Sequence, residues 1–162
     1  MLRALAGAKV EYVLIGGVAV IAHGVIRTTR DVDICPAPNL PNLRRLASML
    51  RELGVRQLGA GEDFDDVEMP YDPTRAEDLA EGGNFRLRTP HGALDIMQWV
   101  PGIEAENAYA ILASAGSDAT AFGYTVTVCS LDHLRHMKRV AGRPQDLQDL
   151  ADLAAAHPEA GD

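Results

Sequence analysis

Hydrophobic and polar positions follow one another in short blocks that predict alternating strands and helices. Brief apolar runs rich in β-branched residues are typical of strands; they lie at 10–15, 32–35, 55–58, 85–88, 93–99 and 124–128. Apolar residues spaced three and four positions apart predict helices; these lie at 17–23, 42–53, 74–80, 104–114, 130–141 and 145–156. The pattern predicts an α/β (α+β) protein with a mixed β-sheet flanked by helices.

The two last helices are separated by strong boundary signals. Ser130 is a favoured N-cap, Gly142 ends the first helix, and Pro144 suits the first turn of the second. The chain has no internal repeat and no low-complexity linker. We expect one domain over 1–162, with a core at about 10–128 and a helical part at about 130–156 packed beside the functional site.

One run of the chain carries the strongest candidate chemistry. The predicted strand 10–15 enters the glycine pair Gly16-Gly17, a helix follows, and the next strand begins with Asp31-Val32-Asp33. Side chains two positions apart on a strand point to the same face, so both carboxylates face one side. Carboxylate oxygens suit Mg²⁺, and a glycine turn at a helix start offers N–H groups to phosphates. These features predict a metal-dependent triphosphate site, in which a side chain at Gly17 would crowd the phosphates and be strained if φ is positive.

The pattern Gly16-Gly17, Gly24, Arg27-x-Thr29-x-Asp31-x-Asp33 resembles the nucleotidyltransferase superfamily with the DNA polymerase beta-like fold. It looks closest to the abortive-infection type nucleotidyltransferase toxins. The resemblance covers about 12–153 and implies a third carboxylate on a later strand, which Asp95 would supply. It departs from many members in having Gly-Gly where they have Gly-Ser.

The resemblance implies transfer of a nucleoside monophosphate from a triphosphate, with pyrophosphate released. Asp31, Asp33 and Asp95 would be the catalytic and metal-binding residues for two Mg²⁺ ions, which stabilise the attacking and leaving oxygens in such sites. Residues predicted to bind the nucleotide are Gly16, Gly17, Arg27, Thr29, Lys138 and Arg143. Lys138 could instead be a solvated helix residue. Arg143 could instead pair with Asp146, and we expect Asp146 and Asp149 to face solvent or that pair.

The charge and composition of the chain narrow the possible classes of function and location. The net charge of -8 argues against a broad nucleic-acid-binding surface, although arginines lie close to the motifs. Segment 62–81 holds nine acids against one arginine, and we interpret it as a solvated loop with a short helix, or as a face for a basic partner. The longest apolar stretch is too short to cross a membrane. Cys35 and Cys129 fit buried thiols of a reducing compartment, so a cytoplasmic location is expected.

Several functions fit these features. The first is an enzyme that modifies an RNA (tRNA-like) or protein acceptor as the toxin of a toxin–antitoxin pair. A second is a minimal nucleotidyltransferase antitoxin that adenylylates a partner toxin, and a third is a nucleotide-binding regulator without turnover. An aminoglycoside nucleotidyltransferase would need an acidic acceptor cleft, which segment 62–81 could line.

Overall fold

The computed structural model describes residues 1–58 and 70–158, so much of the acidic segment 62–81 lies outside the described residues. The helices are α1 (Leu2–Gly7), α2 (Gly16–Ala22), α3 (Leu40–Glu52), α4 (Ala76–Ala80), α5 (Ala108–Ala115), α6 (Leu131–Ala141) and α7 (Pro144–Ala156). The strands are β1 (Tyr12–Ile15), β2 (Asp31–Pro36), β3 (Arg56–Leu58), β4 (Asn84–Thr89), β5 (Gly92–Met97), β6 (Ser117–Ala121) and β7 (Tyr124–Val128). A short 3₁₀ helix, Ala105–Asn107, precedes α5.

Within the described ranges the strands form one mixed sheet in the order β3-β4-β5-β2-β1-β7-β6. β2 pairs parallel with β5, and β1 pairs parallel with β7. The remaining neighbours are antiparallel. The predicted mixed sheet flanked by helices is confirmed. β2 and β5, which carry the three predicted carboxylates, lie side by side in the middle of this sheet.

One hydrophobic core holds the sheet and the helices together. It contains apolar residues of the central strands, such as Leu14, Ile34 and Ile96, and reaches Leu5 on α1 and Leu153 on α7. The predicted apolar face of α3 is buried there, since Leu43, Leu46 and Leu50 are fully covered. Burial of such side chains stabilises the fold by roughly 1.5–3 kcal/mol each.

Two elements were absent from the sequence prediction, and two predicted helices are shorter. The helix predicted at 74–80 begins at Ala76. α1 is a single short apolar helix, and β6 is a polar edge strand, Ser117–Ala121, whose composition is poor in strand-forming residues. The helix predicted at 104–114 begins as a 3₁₀ turn and becomes α-helical at Ala108. Both cysteines are buried free thiols, as predicted, and burial raises the pKa of each to about 12.

The predicted boundaries of the last two helices are confirmed. The Ser130 hydroxyl accepts a hydrogen bond from the His133 N–H and caps α6. Gly142 ends α6 in the left-handed conformation, with φ 62°, and Pro144 begins α7. This sharp break turns α7 back against α6, and both helices border the same cleft. No helix in the described part of the chain is long and apolar enough to cross a membrane.

Candidate active site

Three aspartates from two neighbouring strands meet on one face of the sheet. Asp33 on β2 lies directly opposite Asp95 on β5 in the parallel register, and Asp31 lies two positions before Asp33 on the same face. One carboxylate oxygen from each of the three lies within 4.8 Å of the others. All three side chains are half-buried, so the cluster opens to the cleft. We call Asp31, Asp33 and Asp95 the carboxylate triad.

The triad has the chemistry of a divalent cation site. Burial raises the pKa of Asp33 to about 7, and repulsion by Asp31 and Asp95 adds to the rise. A hydrogen bond from Gly17 and the charge of Lys138 act in the opposite direction. Clustered carboxylates repel one another unless a cation compensates. Oxygen ligands of this kind fit Mg²⁺, so the residues present suit the metal that the sequence predicted.

Asp95 lies in a different environment from Asp33. Burial raises its pKa, the Arg86 guanidinium opposes the rise, and Asp31 adds to it. The Arg86 Nε lies 3.9 Å from the Asp95 Oδ2, and the two residues face each other across β4 and β5. A raised pKa makes a carboxylate a stronger base. Asp95 is therefore suited both to a metal and to a proton from an acceptor hydroxyl.

The glycine pair lets the triad approach the start of α2. The Gly17 N–H donates to the Asp33 Oδ2 at 3.3 Å. A side chain at Gly16 would collide with the Asp33 carboxylate, and Gly16 has φ 63°, which favours glycine. The positive φ belongs to Gly16 rather than to Gly17, which corrects the source of strain considered from the sequence.

Thr29 positions one member of the triad. Its hydroxyl donates to the Asp31 Oδ1 at 2.8 Å. The same hydroxyl would lie 2.5 Å from a Cβ placed at Gly17, and the Arg27 Nη2 would lie 3.4 Å from it. Gly17 is thus the position where Thr29 and Arg27 meet the turn, and its missing side chain makes room for both.

This crowding gives a testable expectation for Gly17→Ala. The added methyl group must displace Thr29, because 2.5 Å is shorter than any ordinary carbon–oxygen contact. We expect binding of an Mg²⁺–triphosphate, measured by calorimetry, to weaken about 10-fold, the loss of one charge-assisted hydrogen bond. Gly7→Ala is the matched control, since a Cβ there meets nothing within 4 Å. Wild-type affinity in a folded Gly17→Ala protein would contradict a role for this turn.

A group of charges, buried or half-buried except for the exposed Arg143, lies beside the triad. The Lys138 Nζ contacts the Asp146 Oδ1 at 2.8 Å and the Asp149 Oδ2 at 2.7 Å. Arg143 donates through its Nε to the Asp146 Oδ2 at 2.7 Å. Arg27 donates through its Nη1 to both oxygens of Asp149 at 2.6 and 2.7 Å. Two acids of α7 thereby hold three cations at the edge of the cleft.

These contacts correct part of the sequence prediction. Asp146 and Asp149 do not face solvent, since only 1% and 0% of their surface is exposed, and Lys138 is buried rather than solvated. The predicted pair of Arg143 with Asp146 is present, and it raises the pKa of Arg143. Burial alone would raise the pKa of Asp146, but hydrogen bonds from Arg143 and Lys138 lower it. The binding of a nucleotide by Arg27, Thr29, Lys138 and Arg143 stays a prediction.

Sequence reasoning missed the role of Asp149. The signal was its spacing, because Asp146, Asp149 and Leu153 lie on one helical face and all three are buried. Leu147 points away from that face and is 58% exposed. The covered face of α7 is therefore partly acidic.

The triad and the cations border a cleft of about 230 Å³. The lining includes the carboxylate triad with the glycine pair, and the cations Arg27, Lys138 and Arg143. It also includes apolar residues from the end of β5, from the loop after it and from α6, namely Met97, Val100, Pro101, Leu134, Met137 and Ala141. The cleft therefore combines acidic, cationic and apolar groups.

An exposed row of arginines continues the sheet face that carries the triad. β4 alternates between exposed and buried positions, so Arg86 and Arg88 are exposed while Phe85 and Leu87 are buried. Arg86 lies opposite Asp95 on β5, which places both on the triad's face. We call Arg86 and Arg88 the arginine row. A molecule that approached Asp95 along this face would pass these two guanidinium groups.

Comparisons with known proteins define the class of fold. The chain has the fold of nucleotidyltransferases, as its sheet order and the solved structures that match it show. Among them is the lincosamide antibiotic adenylyltransferase LnuA with lincomycin bound, 17% identical, with a TM-score of 0.58 over 96% of this chain and 92% of that chain. No known protein family and no curated protein matches the sequence.

Two structures of ANT(2″)-Ia also match. The complex with adenylyl-2″-tobramycin is 15% identical, with a TM-score of 0.57 over 96% of this chain and 84% of that chain. The solution structure of this antibiotic-resistance factor is 12% identical, with a TM-score of 0.56 over 96% of this chain and 79% of that chain. At these identities the likeness concerns the fold. The closer likeness to abortive-infection toxins stays a prediction.

Proposed function

We propose that the protein is an Mg²⁺-dependent nucleotidyltransferase that moves a nucleoside monophosphate from a nucleoside triphosphate to an acceptor hydroxyl. The observation that carries this proposal is the carboxylate triad, held on adjacent strands of a nucleotidyltransferase fold within 4.8 Å. The apolar residues that line the cleft suit a nucleobase, and the cations that line it suit the phosphates.

The proposed reaction needs little covalent chemistry from the protein. The acceptor oxygen attacks the α-phosphorus, a new P–O bond forms, and the bond to pyrophosphate breaks. The acceptor proton passes to Asp95, directly or through water, since its raised pKa makes it a suitable base. Lys138, Arg143 and Arg27 border the same cleft and would bind oxygens of the triphosphate that leave as pyrophosphate.

The triad would hold the metal. Mg²⁺ bound by Asp31, Asp33 and Asp95 would supply charge neutralisation and would acidify the attacking hydroxyl. Thr29 fixes the orientation of Asp31 through its 2.8 Å hydrogen bond, and the Gly17 N–H fixes Asp33. These contacts would keep the ligand oxygens in place before the metal binds, which lowers the reorganisation needed.

We further propose that the acceptor is an RNA end. The arginine row lies on the same face as Asp95, and guanidinium groups recognise phosphates with paired hydrogen bonds. Phosphate contacts of this kind position a nucleic acid without reading its sequence. A local row of cations would serve a short RNA segment even though the whole chain carries a charge of -8.

In the cell, such an activity fits the toxin of a toxin–antitoxin pair, as the sequence resemblance implies. An antitoxin that modifies a partner toxin, or a regulator that binds nucleotide without turnover, are the competing roles. The neighbouring gene separates the first two, since a small DNA-binding protein favours a toxin and a helical ribonuclease favours an antitoxin. Nucleotidyl transfer by the pure protein distinguishes the toxin and the antitoxin, which are both enzymes, from the regulator.

A small antibiotic is the second candidate acceptor. It is favoured by the matching structures, since one is a lincosamide antibiotic adenylyltransferase with lincomycin bound and another holds adenylyl-2″-tobramycin. The arginine row argues against a polycationic aminoglycoside, because like charges would face each other beside Asp95. This argument does not extend to an uncharged acceptor.

The decisive experiment is label transfer by the pure protein. It is incubated with Mg²⁺, each α-labelled nucleoside triphosphate, and total RNA, cell protein, lincomycin or tobramycin. We expect labelled RNA with one or more triphosphates. Labelled protein or antibiotic would replace the RNA proposal, and no label on any acceptor would favour the nucleotide-binding regulator.

The arginine row is tested by Arg88→Ala, which leaves the Arg86–Asp95 contact intact. We expect the KM for RNA to rise about 5- to 10-fold, with a weaker salt dependence, because one phosphate contact is lost. Triphosphate affinity should not change. The control is Arg44→Ala, at an exposed position of α3. Equal effects of both substitutions would contradict a specific path for RNA along β4.

A further inference from the structure

Asp149 is a heavily hydrogen-bonded side chain at the edge of the site. It is fully buried, and three different elements contact it. Arg27, from the link between α2 and β2, reaches both oxygens, and Lys138, from α6, reaches Oδ2. Gln145 of the same helix donates to Oδ1 at 3.0 Å. A buried carboxylate needs such partners, and here each cation also borders the cleft.

The contact with Asp149 determines where Arg27 points. Its Nη1 is held by the carboxylate, and its Nε donates to the Thr28 carbonyl at 3.0 Å. The remaining nitrogen, Nη2, is directed toward the glycine turn, 3.4 Å from the position of a Gly17 Cβ. Because the guanidinium group is planar and rigid, fixing two nitrogens fixes the third.

Lys138 is held in a comparable way. Its ammonium has three N–H donors, and the carboxylates of Asp146 and Asp149 take two of them at 2.8 and 2.7 Å. One donor is left for the cleft that the side chain borders. Its charge also acts on Asp33, whose pKa it lowers. Asp149 therefore lies behind two cations and holds both of them beside the triad.

We propose that Asp149 is a positioning residue of the phosphate site, which fixes Arg27 and Lys138 in the orientation that receives the triphosphate. This inference rests on the proposed function and adds a residue that does not itself touch the substrate. It implies that the main effect of losing Asp149 is weaker phosphate binding, because the triad is not bonded to it.

The test uses Asp149→Asn, which keeps the shape and removes the charge. The probe is inorganic triphosphate with Mg²⁺, which has no nucleobase, measured by titration calorimetry. We expect at least a 10-fold loss of affinity, and in label transfer a similar rise in KM with kcat changed less than 3-fold. Asp152→Asn, on the same helix and hydrogen-bonded to Gln148, should match wild type. A general loosening of the fold would lower kcat as well.

Loss of a buried charge partner destabilises proteins, so Asp149→Asn is also compared in the Lys138→Met background. If Asp149 acts through Lys138, the loss of triphosphate affinity caused by Asp149→Asn should be at least 3-fold smaller in the Lys138→Met background than in the wild-type background. Full additivity of the two losses would overturn the inference, as would wild-type affinity in Asp149→Asn. A wild-type protein that neither binds inorganic triphosphate nor transfers label would overturn the proposed function together with it.

Discussion

Asp33→Asn is expected to lower nucleotidyl transfer by about 10³-fold, the largest effect of any single substitution considered. Asp33 is the central member of the triad, since it faces Asp95 across β2 and β5 and accepts the Gly17 N–H. The substitution should also remove the rise in melting temperature that Mg²⁺ with a triphosphate gives to wild type, because that rise reflects binding to the folded state. An unchanged rise would exclude Asp33 as a ligand.

The same variant should be more stable than wild type in metal-free solution at neutral pH. The pKa of Asp33 is raised from 3.8 to about 7 in the folded protein, so the folded state binds more protons than the unfolded state between these values. Stability of wild type should therefore fall as pH rises from about 4 to about 7, and Asp33→Asn should lack this decline. Melting temperatures of both proteins, measured in EDTA across this pH range, test this expectation. Asp118→Asn, exposed on β6, is the control.

Asp95→Asn is expected to separate catalysis from binding. If Asp95 serves the nucleophile, its charge matters mainly in the transition state. Transfer at saturating triphosphate should then fall about 10²-fold, the usual order for loss of a general base, while triphosphate affinity stays within a few-fold. The measurement pairs label transfer with a binding titration on the same protein.

The outcome for Asp95 bears on the choice between an enzyme and a regulator. An equal loss of binding and transfer would make Asp95 only a binding ligand. Unchanged transfer would mean that Asp31 and Asp33 suffice. Arg86, whose guanidinium lies 3.9 Å from Asp95, also needs separate measurement, because its loss should raise the pKa of Asp95 further.

Two members of the triad, Asp31 and Asp33, could be predicted from sequence because their signals are local. An apolar strand, a glycine turn and carboxylates two positions apart define one end of the site within about 20 residues. Asp95 followed from a resemblance, and the parallel register of β2 and β5 is what brings it opposite Asp33. β6 was missed for the opposite reason, since a polar edge strand forms through pairing with β7 rather than through its own composition.

The local pair of Arg143 with Asp146 could be predicted, but the part of the charge network around Asp149 could not, because it joins segments that are distant in sequence. Arg27 and Asp149 are separated by 122 positions and meet only after α7 packs against α6. A helical pattern with acids three positions apart, such as Asp146 and Asp149, predicts a solvent-exposed face. In α7 that face is buried. The exposed Leu147 strengthens the misleading pattern, since apolar residues are usually assigned to the covered side.

The placement of Asp149 on the last helix bears on when the site becomes complete during synthesis. All three triad carboxylates have been made once the ribosome passes residue 95, but the acids that hold Arg27 and Lys138 emerge some fifty residues later. A nascent chain that has folded only its central strands would thus have the metal ligands without the ordered cations. Substrate binding would then begin only after α7 docks against α6, which ties activity to the packing of this helix pair.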